Sequence, residues 1–548
     1  MMPTARRLVT TLLFLMAASS AALASEIPRI VSHQGRHALM VDGAPFLILG
    51  GQAHNSSNYP QALDKVFAAI KDMHANTLEI PVAWEQIEPV EGQFDFSYVD
   101  TLLKQARQHQ VRLVLLWFGT WKNTSPSYAP EWVKFNNARF PRMLDRQGKP
   151  NYCLSPHGDT TLRADRKAFV RLMQHLKQVD SAARTIIMMQ VENEVGTYGY
   201  ARDYSPAAEQ LFRQPVPAAV LAHKKPLPER PSSGTWQQVY GDYAEEYFHA
   251  YAIASYIEEI AKAGRAVYDL PMYVNNAQRD STESPLLPWH ENFASGGPTY
   301  DVIDIYRAAA PHIDFASPDI YDPDWKKFNA SLQHFQRADQ PLMVPEMSNG
   351  ANYVRYLWLV LGRGAIGVAP FGIDYAEYSN FPLGHKASDR SMVAPFGAIY
   401  AAFRPMQRQW ARWAYEGRTY GVAEGDDRQP QSIAMKGWNA TISFREWQFG
   451  EREYFKDLKD TPVGTEIPNG GVAIAQTGEK EFIIIGQRAR VKISHAKGEP
   501  SMWARVEQGH FDASGKWIME RNWNGDQTDY GLNLGATPTV LKVTLNTY

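Results

Sequence analysis

Two glutamates stand directly after apolar, strand-like runs of the chain. Glu194 follows the run at residues 185–191, and Glu346 follows the run at residues 342–345. A carboxylate beside a buried strand is costly unless it is paired or has a function. Two such carboxylates can hydrolyse a glycosidic bond, because one protonates the leaving oxygen while the other attacks the anomeric carbon. The sequence therefore predicts that this pair performs glycoside hydrolysis.

The segment around Glu194 holds a second acidic side chain. Glu192 and Glu194 are two residues apart, so on an extended segment both point the same way. The position at the very end of the strand favours Glu194 as the acid, and a negative partner should raise its pKa, which suits an acid at neutral pH. Asn193 between them could hydrogen-bond the sugar 2-hydroxyl. The alternative, that Glu192 or Glu194 only hydrogen-bonds backbone at the rim, remains open.

Eight apolar runs, separated by amphipathic helical stretches, must position these side chains. Strands that are apolar throughout are buried on both faces, as in a parallel sheet. Eight of them over about 360 residues indicate an α/β fold, a (β/α)8 TIM barrel whose catalytic residues lie at the C-terminal strand ends. The runs are residues 46–51, 76–83, 111–118, 185–191, 272–275, 315–320, 342–345 and 365–369.

The pattern changes after about residue 413. Short strand-like segments then alternate with Gly, Pro and Asn turns, which predicts a smaller all-β, sandwich-like C-terminal domain. We expect a signal peptide at residues 1–24, the catalytic barrel at 25–410 and the β domain at 411–548. The sequence leaves open whether the β domain binds glycan or braces the barrel. The clearest strand-like segments are residues 471–475, 481–486, 491–494 and 540–545.

The first residues have the pattern of a secretory signal. Arg6 and Arg7 precede an apolar stretch at residues 8–18, and Ala22 and Ala24 form a small-x-small cleavage site. We expect export through this signal peptide, to a periplasm or outside the cell, and no membrane attachment after its removal.

Composition excludes several function classes. Lysine plus arginine is 56 and aspartate plus glutamate is 58, so the net charge of −2 offers no basic surface for a nucleic acid partner. The single cysteine, Cys153, cannot form an internal disulfide, and the 15 histidines show no metal-ligand spacing. We expect a carbohydrate substrate, no cofactor and no metal. The sequence does not indicate an oligomeric state.

Residues 190–196 (QVENEVG) resemble the QxENEYG motif of glycoside hydrolase family 35, the β-galactosidases. Residues 84–96 agree, because they resemble the WxxxEPxxGxFDF stretch of that family. The resemblance covers about residues 30–400 and implies a retaining exo-β-galactosidase. Glu194 would be its acid/base and Glu346 its nucleophile, and terminal β-galactosyl residues of oligo- or polysaccharides, such as xyloglucan fragments, would be its substrate.

The chain departs from the family pattern at two places. Val195 replaces the tyrosine of QxENEYG, and residues 116–123 (LWFGTWKN) replace a Cys-Ala-Glu segment that holds galactose hydroxyls in typical members. This form resembles a bacterial branch of the family that ends in a β-rich domain. The EPxxGxFDF stretch also occurs in the family 42 β-galactosidases of the same clan, which are the neighbouring alternative.

Further side chains near the predicted strand ends could bind the sugar. Tryptophan rings there could stack on a sugar face, although core packing is the alternative for each of them. Lys122 and Asn123 could hydrogen-bond hydroxyls or belong to a solvated loop, and Tyr321 could donate to the nucleophile, as a tyrosine does in similar enzymes. The predicted substrate-binding residues are Asn193, Trp117, Trp121, Lys122, Asn123, Tyr321, Trp84 and His54.

Two other functions fit the same residues. One is a clan A β-glycosidase that takes a different sugar or cuts within a chain. The other is a sugar-binding barrel without catalysis, although a pure binding protein gains little from two buried carboxylates.

Overall fold

The computed structural model describes residues 26–444, 464, 466–512 and 514–548. The predicted signal peptide, residues 1–24, lies outside the described residues. No helix in the described ranges is both long and apolar enough to cross a membrane.

The centre of the molecule is a closed barrel of eight parallel strands, so the predicted (β/α)8 fold is confirmed. The last strand pairs with the first, with Gly367 opposite Ile48, which closes the ring. Each strand carries an almost unbroken run of buried residues because both of its faces are covered. The strands are β1 (Ile48–Gln52), β2 (Thr77–Ala83), β3 (Arg112–Lys122), β4 (Ile186–Asn193), β5 (Met272–Ala277), β6 (Phe315–Ile320), β7 (Met343–Met347) and β8 (Gly367–Pro370).

An antiparallel sheet at the N-terminus closes the bottom of the barrel. Leu39, Val41 and Phe46 of this sheet belong to the same apolar cluster as Ile48 and Phe315 of the barrel strands. The bottom of the barrel is therefore an apolar core, and the polar interior lies toward the opposite end, where the strands finish. The sheet consists of Arg29–His33, Arg36–Val41 and Ala44–Phe46.

Amphipathic helices cover the outside of the barrel. The first of them, Leu63–Asp72, buries Leu63, Val66, Phe67 and Ile70, the apolar positions of its 3.6-residue period. The remaining helices are Trp84–Ile87, Ser97–Gln108, Glu131–Lys134, Asp159–Asp180, Pro206–Phe212, Ala218–His223, Trp236–Tyr240, Ala244–Val267, Ile303–Ala309, Trp325–Phe335, Tyr356–Gly362, Arg390–Phe403 and Gln407–Tyr415.

Two antiparallel sheets follow the barrel and enclose a second core, as the sequence predicts for the C-terminal domain. Trp438, Ile442, Ile484, Val491 and Leu541 belong to this core. The predicted domain boundary at residue 410 stays a prediction. In spatial order, one sheet is Thr419–Ala423, Gly471–Gln476, Glu481–Gln487, Thr539–Thr547, Ser501–Phe511 and Trp517–Asn522, and the other is Gln431–Met435, Trp438–Phe444, Ala489–His495 and Leu532–Leu534.

The β domain packs on the helices that follow β6 and β7. Gly421 approaches the helix Tyr356–Gly362 so closely that a Cβ on it would lie 2.2 Å from the carbonyl oxygen of Trp358. The indole N–H of Trp325 donates to the carbonyl oxygen of Ala423 at 3.2 Å. The two parts of the chain are thus joined beside β6, which Tyr321 follows directly, and β7, which carries Glu346.

Candidate active site

Polar side chains from five barrel strands meet at the C-terminal mouth. Gln52 ends β1, Asn193 ends β4, and Asn275, Asp319 and Glu346 lie near the ends of β5, β6 and β7. Asp319 and Glu346 stand opposite each other in the strand register, so both face the barrel axis. The mouth of a (β/α)8 barrel is the place where active sites form.

Two donors hold the carboxylate of Glu346, which is buried. The hydroxyl of Tyr321 donates to Oε1 at 2.7 Å, and the amide nitrogen of Gln52 donates to Oε2 at 2.8 Å. Burial, together with the negative charge of Glu346, raises the pKa of Tyr321 well above its usual value, so this hydroxyl stays protonated. The arrangement fixes the carboxylate in place and stabilises its charge through charge-assisted hydrogen bonds.

Glu194 lies across from Glu346 in an unusual backbone conformation. Its φ of +42° is in the left-handed region, and its N–H donates to Oδ1 of Asn275 at 3.0 Å. Burial and, after it, the negative charge of Glu346 raise the pKa of Glu194, while the positive charge of Lys122 and a hydrogen bond with Asp319 lower it, and the net value is about 7. A carboxyl group with this pKa can both donate and accept a proton at neutral pH.

The distance between the two glutamates fits one stereochemical class. Carboxyl oxygens of Glu194, Asp319 and Glu346 all lie within 4.8 Å of one another. Retaining glycosidases hold their two carboxyl groups about 5–5.5 Å apart, whereas inverting enzymes need about 6.5–9.5 Å to admit a water molecule. The same oxygens are close enough to share a cation, but a cation there would occupy both groups that the hydrolysis uses.

Glu192 hydrogen-bonds backbone N–H groups of β3. Of the two glutamates, it is therefore the one for which the sequence alternative, a purely structural hydrogen bond to backbone, applies. Its Oε2 accepts from the N–H of Trp121 at 2.7 Å, and its Oε1 accepts from the N–H of Thr120 at 3.2 Å. Burial raises its pKa well above the usual value, and the adjacent carboxylate of Asp165 raises it further. The φ of +63° at Glu192 breaks the extended alternation, so Glu192 and Glu194 do not share a face.

Asn193, Lys122 and Asn123 lie together beside Glu194. The Asn193 side-chain amide is 3.0 Å from that of Gln190, and one of its ends lies 3.1 Å from Nζ of Lys122. Nζ of Lys122 also donates to Asn123, whose backbone N–H donates to the carbonyl oxygen of Asn193 at 3.1 Å. The end of β3 is thus attached to the end of β4, next to the acid/base candidate.

The three predicted stacking tryptophans are in the core, which corrects the expectation that they face the sugar. Trp117 is 0% exposed and donates to Oδ1 of Asp165 at 2.9 Å. Trp121 is 2% exposed and donates to the carbonyl oxygen of Leu154 at 3.1 Å. Trp84 is also fully buried and donates to a carboxyl oxygen of Glu88 at 3.2 Å. No ring face of these side chains is open to a ligand.

His54 lies just beyond β1, beside the segment that follows β8. Its Nδ1 is 3.0 Å from Oδ1 of Asp374, and its backbone N–H donates to Oδ2 of the same carboxylate at 2.9 Å. Burial acts to raise the pKa of Asp374, but its hydrogen bonds with His54 outweigh burial, so the pKa is lowered. The imidazole is therefore held at the rim with its other nitrogen facing away from Asp374.

Three residues of this site do not emerge from the sequence analysis. Gln52 donates to Glu346, and Asn275 accepts from the backbone N–H of Glu194. The third, Asp319, has carboxyl oxygens near those of both glutamates. Each is a polar residue at or near the end of an apolar strand, which is the signal that identified Glu194 and Glu346. Applied to every strand, the same rule would have found them.

Two family models match the chain. One, described as "Beta-galactosidase" and belonging to glycoside hydrolase family 42, matches residues 56–262. The other, described as a domain of unknown function (DUF5597), matches residues 396–535. The matching family is thus the neighbouring alternative noted above, and membership of family 35 is not shown.

Known proteins resemble the chain at low identity. The rice (Oryza sativa subsp. japonica) protein "Beta-galactosidase 7" is 29% identical over 104 residues, which are 19% of this chain and only 13% of the rice protein. The β-galactosidase structure from Bacillus circulans sp. alkalophilus has a TM-score of 0.50 at 10% identity and covers 91% of this chain and 99% of its own. That of the cold-adapted enzyme from Rahnella sp. R3 has a TM-score of 0.50 at 11% identity and covers 92% and 100%. These structures share the fold, and the matched family model indicates a glycoside hydrolase of the β-galactosidase type.

Proposed function

We propose that the chain is a retaining exo-β-glycosidase that removes terminal β-galactosyl residues from oligo- or polysaccharides. Glu346 attacks the anomeric carbon and forms a glycosyl-enzyme, while Glu194 protonates the leaving oxygen. Glu194 then takes a proton from water, which attacks the same carbon and releases the sugar with its configuration retained. The observation that carries the proposal is the approach of these two carboxyl groups to within 4.8 Å at the barrel mouth.

The surroundings of each glutamate support its role. Glu346 has donors on both oxygens, from Tyr321 and Gln52, so its attacking carboxylate is oriented before the sugar arrives. Glu194 has a pKa of about 7 and so exists in both protonation states near neutral pH. An acid in the first step and a base in the second need that property.

The choice of galactose rests on the family model that matches residues 56–262 and not on a contact in the site. Exo-action on xyloglucan fragments is the finer part of the proposal. A panel of nitrophenyl β-galactoside, β-glucoside and β-xyloside separates galactose from other sugars. Product analysis on galactosylated xyloglucan oligosaccharides then shows whether single terminal residues are released.

The mechanism is tested with variants of the two glutamates. Glu346→Ala and Glu194→Ala should each lose nearly all activity, because each removes one half of the double displacement. Azide should partly rescue Glu346→Gly and give a glycosyl azide of inverted configuration, since the azide occupies the place of the nucleophile. Normal turnover by either alanine variant would rule out the assignment.

We also propose that residues 1–24 direct export of the protein. The support is the sequence pattern of two arginines, an apolar stretch and a small-x-small site. Expression of the full chain followed by fractionation and N-terminal sequencing tests it, and a mature protein that begins at Ser25 outside the cytoplasm is the expected result. Full-length protein in the cytoplasm would contradict it.

A further inference from the structure

Asp319 is a third carboxyl group between the two glutamates, and the double displacement does not use it. It is 4% exposed and lies on β6, one strand from Glu346. Its Oδ2 accepts from the side-chain amide of Asn275 at 2.7 Å. Its Oδ1 is buried and accepts from no N–H or hydroxyl group of the described residues. Asp319 also shares a hydrogen bond with the carboxyl group of Glu194, which requires a proton on one of the two groups. A buried carboxyl oxygen that has only an acidic neighbour to bond with can bind a ligand hydroxyl in its place.

Space for a ligand adjoins this carboxyl group. A cavity of about 360 Å³ is bordered by Glu194, Asp319 and Tyr321, and it extends along the segments that follow β5 and β6. Most of the side chains that line it carry hydroxyl, amide or charged groups, among them Gln278, Ser281 and Lys327. Such a cavity suits a hydroxylated ligand.

We propose that Asp319 binds, through Oδ1, the substrate hydroxyl on the carbon next to the anomeric carbon. This inference rests on the proposed function, in which the anomeric carbon lies between Glu194 and Glu346. Oxygens of Asp319 are within 4.8 Å of oxygens of both glutamates, so Asp319 flanks that carbon directly. Because this hydroxyl stands on the carbon next to the anomeric one, it is the ring hydroxyl nearest to that position.

The protonation state of Asp319 fits a donor to a hydroxyl oxygen. Burial raises its pKa well above the usual value, and the negative charges of Glu346 and Glu194 raise it further. This direction favours the protonated form of the side chain. Because Oδ2 accepts from Asn275, a proton on Oδ1 can be shared with the carboxyl group of Glu194 and, when a sugar is bound, can be donated to its hydroxyl.

The test is a cycle that combines a variant with a deoxy substrate. We compare kcat/KM for a nitrophenyl β-galactoside and its 2-deoxy analogue in the wild type and in Asp319→Ala. The loss caused by the missing 2-hydroxyl should be about tenfold smaller in the variant, which corresponds to about 1.4 kcal/mol of coupling. The 3-deoxy and 6-deoxy analogues should lose equally in both proteins. Equal losses for the 2-deoxy analogue in both proteins would overturn the proposal.

Controls separate binding from damage to the barrel. Asp314→Asn changes the acidic residue directly before the same strand, at its opposite end, and should leave the 2-deoxy loss at its wild-type value. If Asp319→Ala does not fold, Asp319→Val replaces it, because valine fills the volume of the aspartate side chain without polar atoms. The same two substrates are then compared in this variant. If the wild type hydrolyses no β-glycoside, the proposed function falls and this inference falls with it. If it does and the 2-deoxy losses are equal, this inference alone is wrong.

Discussion

Covalent attachment of a sugar to Glu346 should lower the pKa of Glu194 from about 7. Burial, the largest cause of the raised value, is unchanged by the attachment, but the ester removes the negative charge that supplies the second cause. At the 4.8 Å limit of their separation, two unit charges interact by about 3.5 kcal/mol at an effective dielectric constant of 20 and by about 0.9 kcal/mol in bulk water. One pKa unit is 1.36 kcal/mol, so the pKa of Glu194 should fall by about 0.6 to 2.5.

The direction of this change suits the two steps. Glu194 must be protonated to donate to the leaving oxygen, so kcat/KM should be highest below its pKa and should fall as the pH rises through about 7. Once the glycosyl-enzyme has formed, a lower pKa favours the ionised form, which accepts a proton from water. In the proposed mechanism, one side chain would serve as acid and then as base because its neighbour changes charge.

The assay is a titration of the glutamate carboxyl carbons. Protein labelled with ¹³C at the glutamate side-chain carboxyl is titrated by NMR before and after trapping with a 2-deoxy-2-fluoro galactoside. Glu194→Gln identifies the resonance, because the signal that disappears in this variant belongs to Glu194. In parallel, the pH dependence of kcat/KM is measured for the free wild-type enzyme.

Two results would refute the reasoning. If the pKa of Glu194 stays constant or rises on trapping, the charge of Glu346 does not control it. If kcat/KM stays level from about pH 6 to about pH 9, Glu194 is not the acid of the first step.

Three further predictions concern contacts around the site. Tyr321→Phe removes one of the two donors to Glu346 and should lower kcat by about tenfold to about a hundredfold, since hydrogen bonds to charged groups contribute about 1.5–3 kcal/mol. Steady-state kinetics measure kcat in the variant. An unchanged kcat would show that the donor from Gln52 suffices to hold Glu346. Glu192→Gln replaces one of the two accepting oxygens by an amide N–H, which would face the N–H of Thr120 or Trp121, and should lower the free energy of unfolding by about 1–3 kcal/mol in urea titrations. Wild-type stability would mean that one accepting oxygen suffices for the two N–H groups. Gly421→Ala forces a Cβ to 2.2 Å from the backbone of Trp358 and should lower the melting temperature by several degrees. The control Gly535→Ala, with open space around the new Cβ, should leave the melting temperature unchanged. Equal melting temperatures for the two variants would contradict the close packing at Gly421.

The barrel was predictable because its signal is the simplest one. Eight apolar runs separated by helical stretches identify buried parallel strands, and each run overlaps one strand of the observed ring. The end of β3 was less predictable. The sequence predicts a strand over residues 111–118, but the strand continues to Lys122 because Glu192 and Asp165 accept from the N–H groups of Thr120 and Trp121. Polar partners distant in sequence extended the strand, and no local pattern reports them.

The tryptophans show a second limit. In a strand that is apolar throughout, either set of alternate residues could face the barrel axis, so the side of a given ring cannot be told from the run itself. Leu116 and Phe118 belong to the interior cluster, and Trp117 between them faces the outer layer against Phe169. A strand with one polar face would have revealed this alternation.

The two glutamates after β4 show a third limit. Alternation on an extended segment gives Glu192 and Glu194 the same direction, yet both residues have positive φ and point differently. Such conformations cost free energy and persist where the surroundings impose them. Here the N–H groups of Thr120 and Trp121 draw Glu192 outward, and the amide of Asn275 holds the N–H of Glu194. The position of the acid is therefore set by contacts from β3 and β5.

The same logic gives the β domain a role in the site. The sequence leaves open whether that domain binds glycan or braces the barrel, and its contacts favour bracing. Arg355, just after β7, donates to the carbonyl oxygen of Glu424 at 2.7 Å, and Trp325, just after β6, donates to Ala423. These segments follow β6, after which Tyr321 stands, and β7, which carries Glu346. Because about 0.5 Å decides whether a catalytic contact forms, a domain that fixes both segments contributes to the geometry of Glu346, the proposed nucleophile.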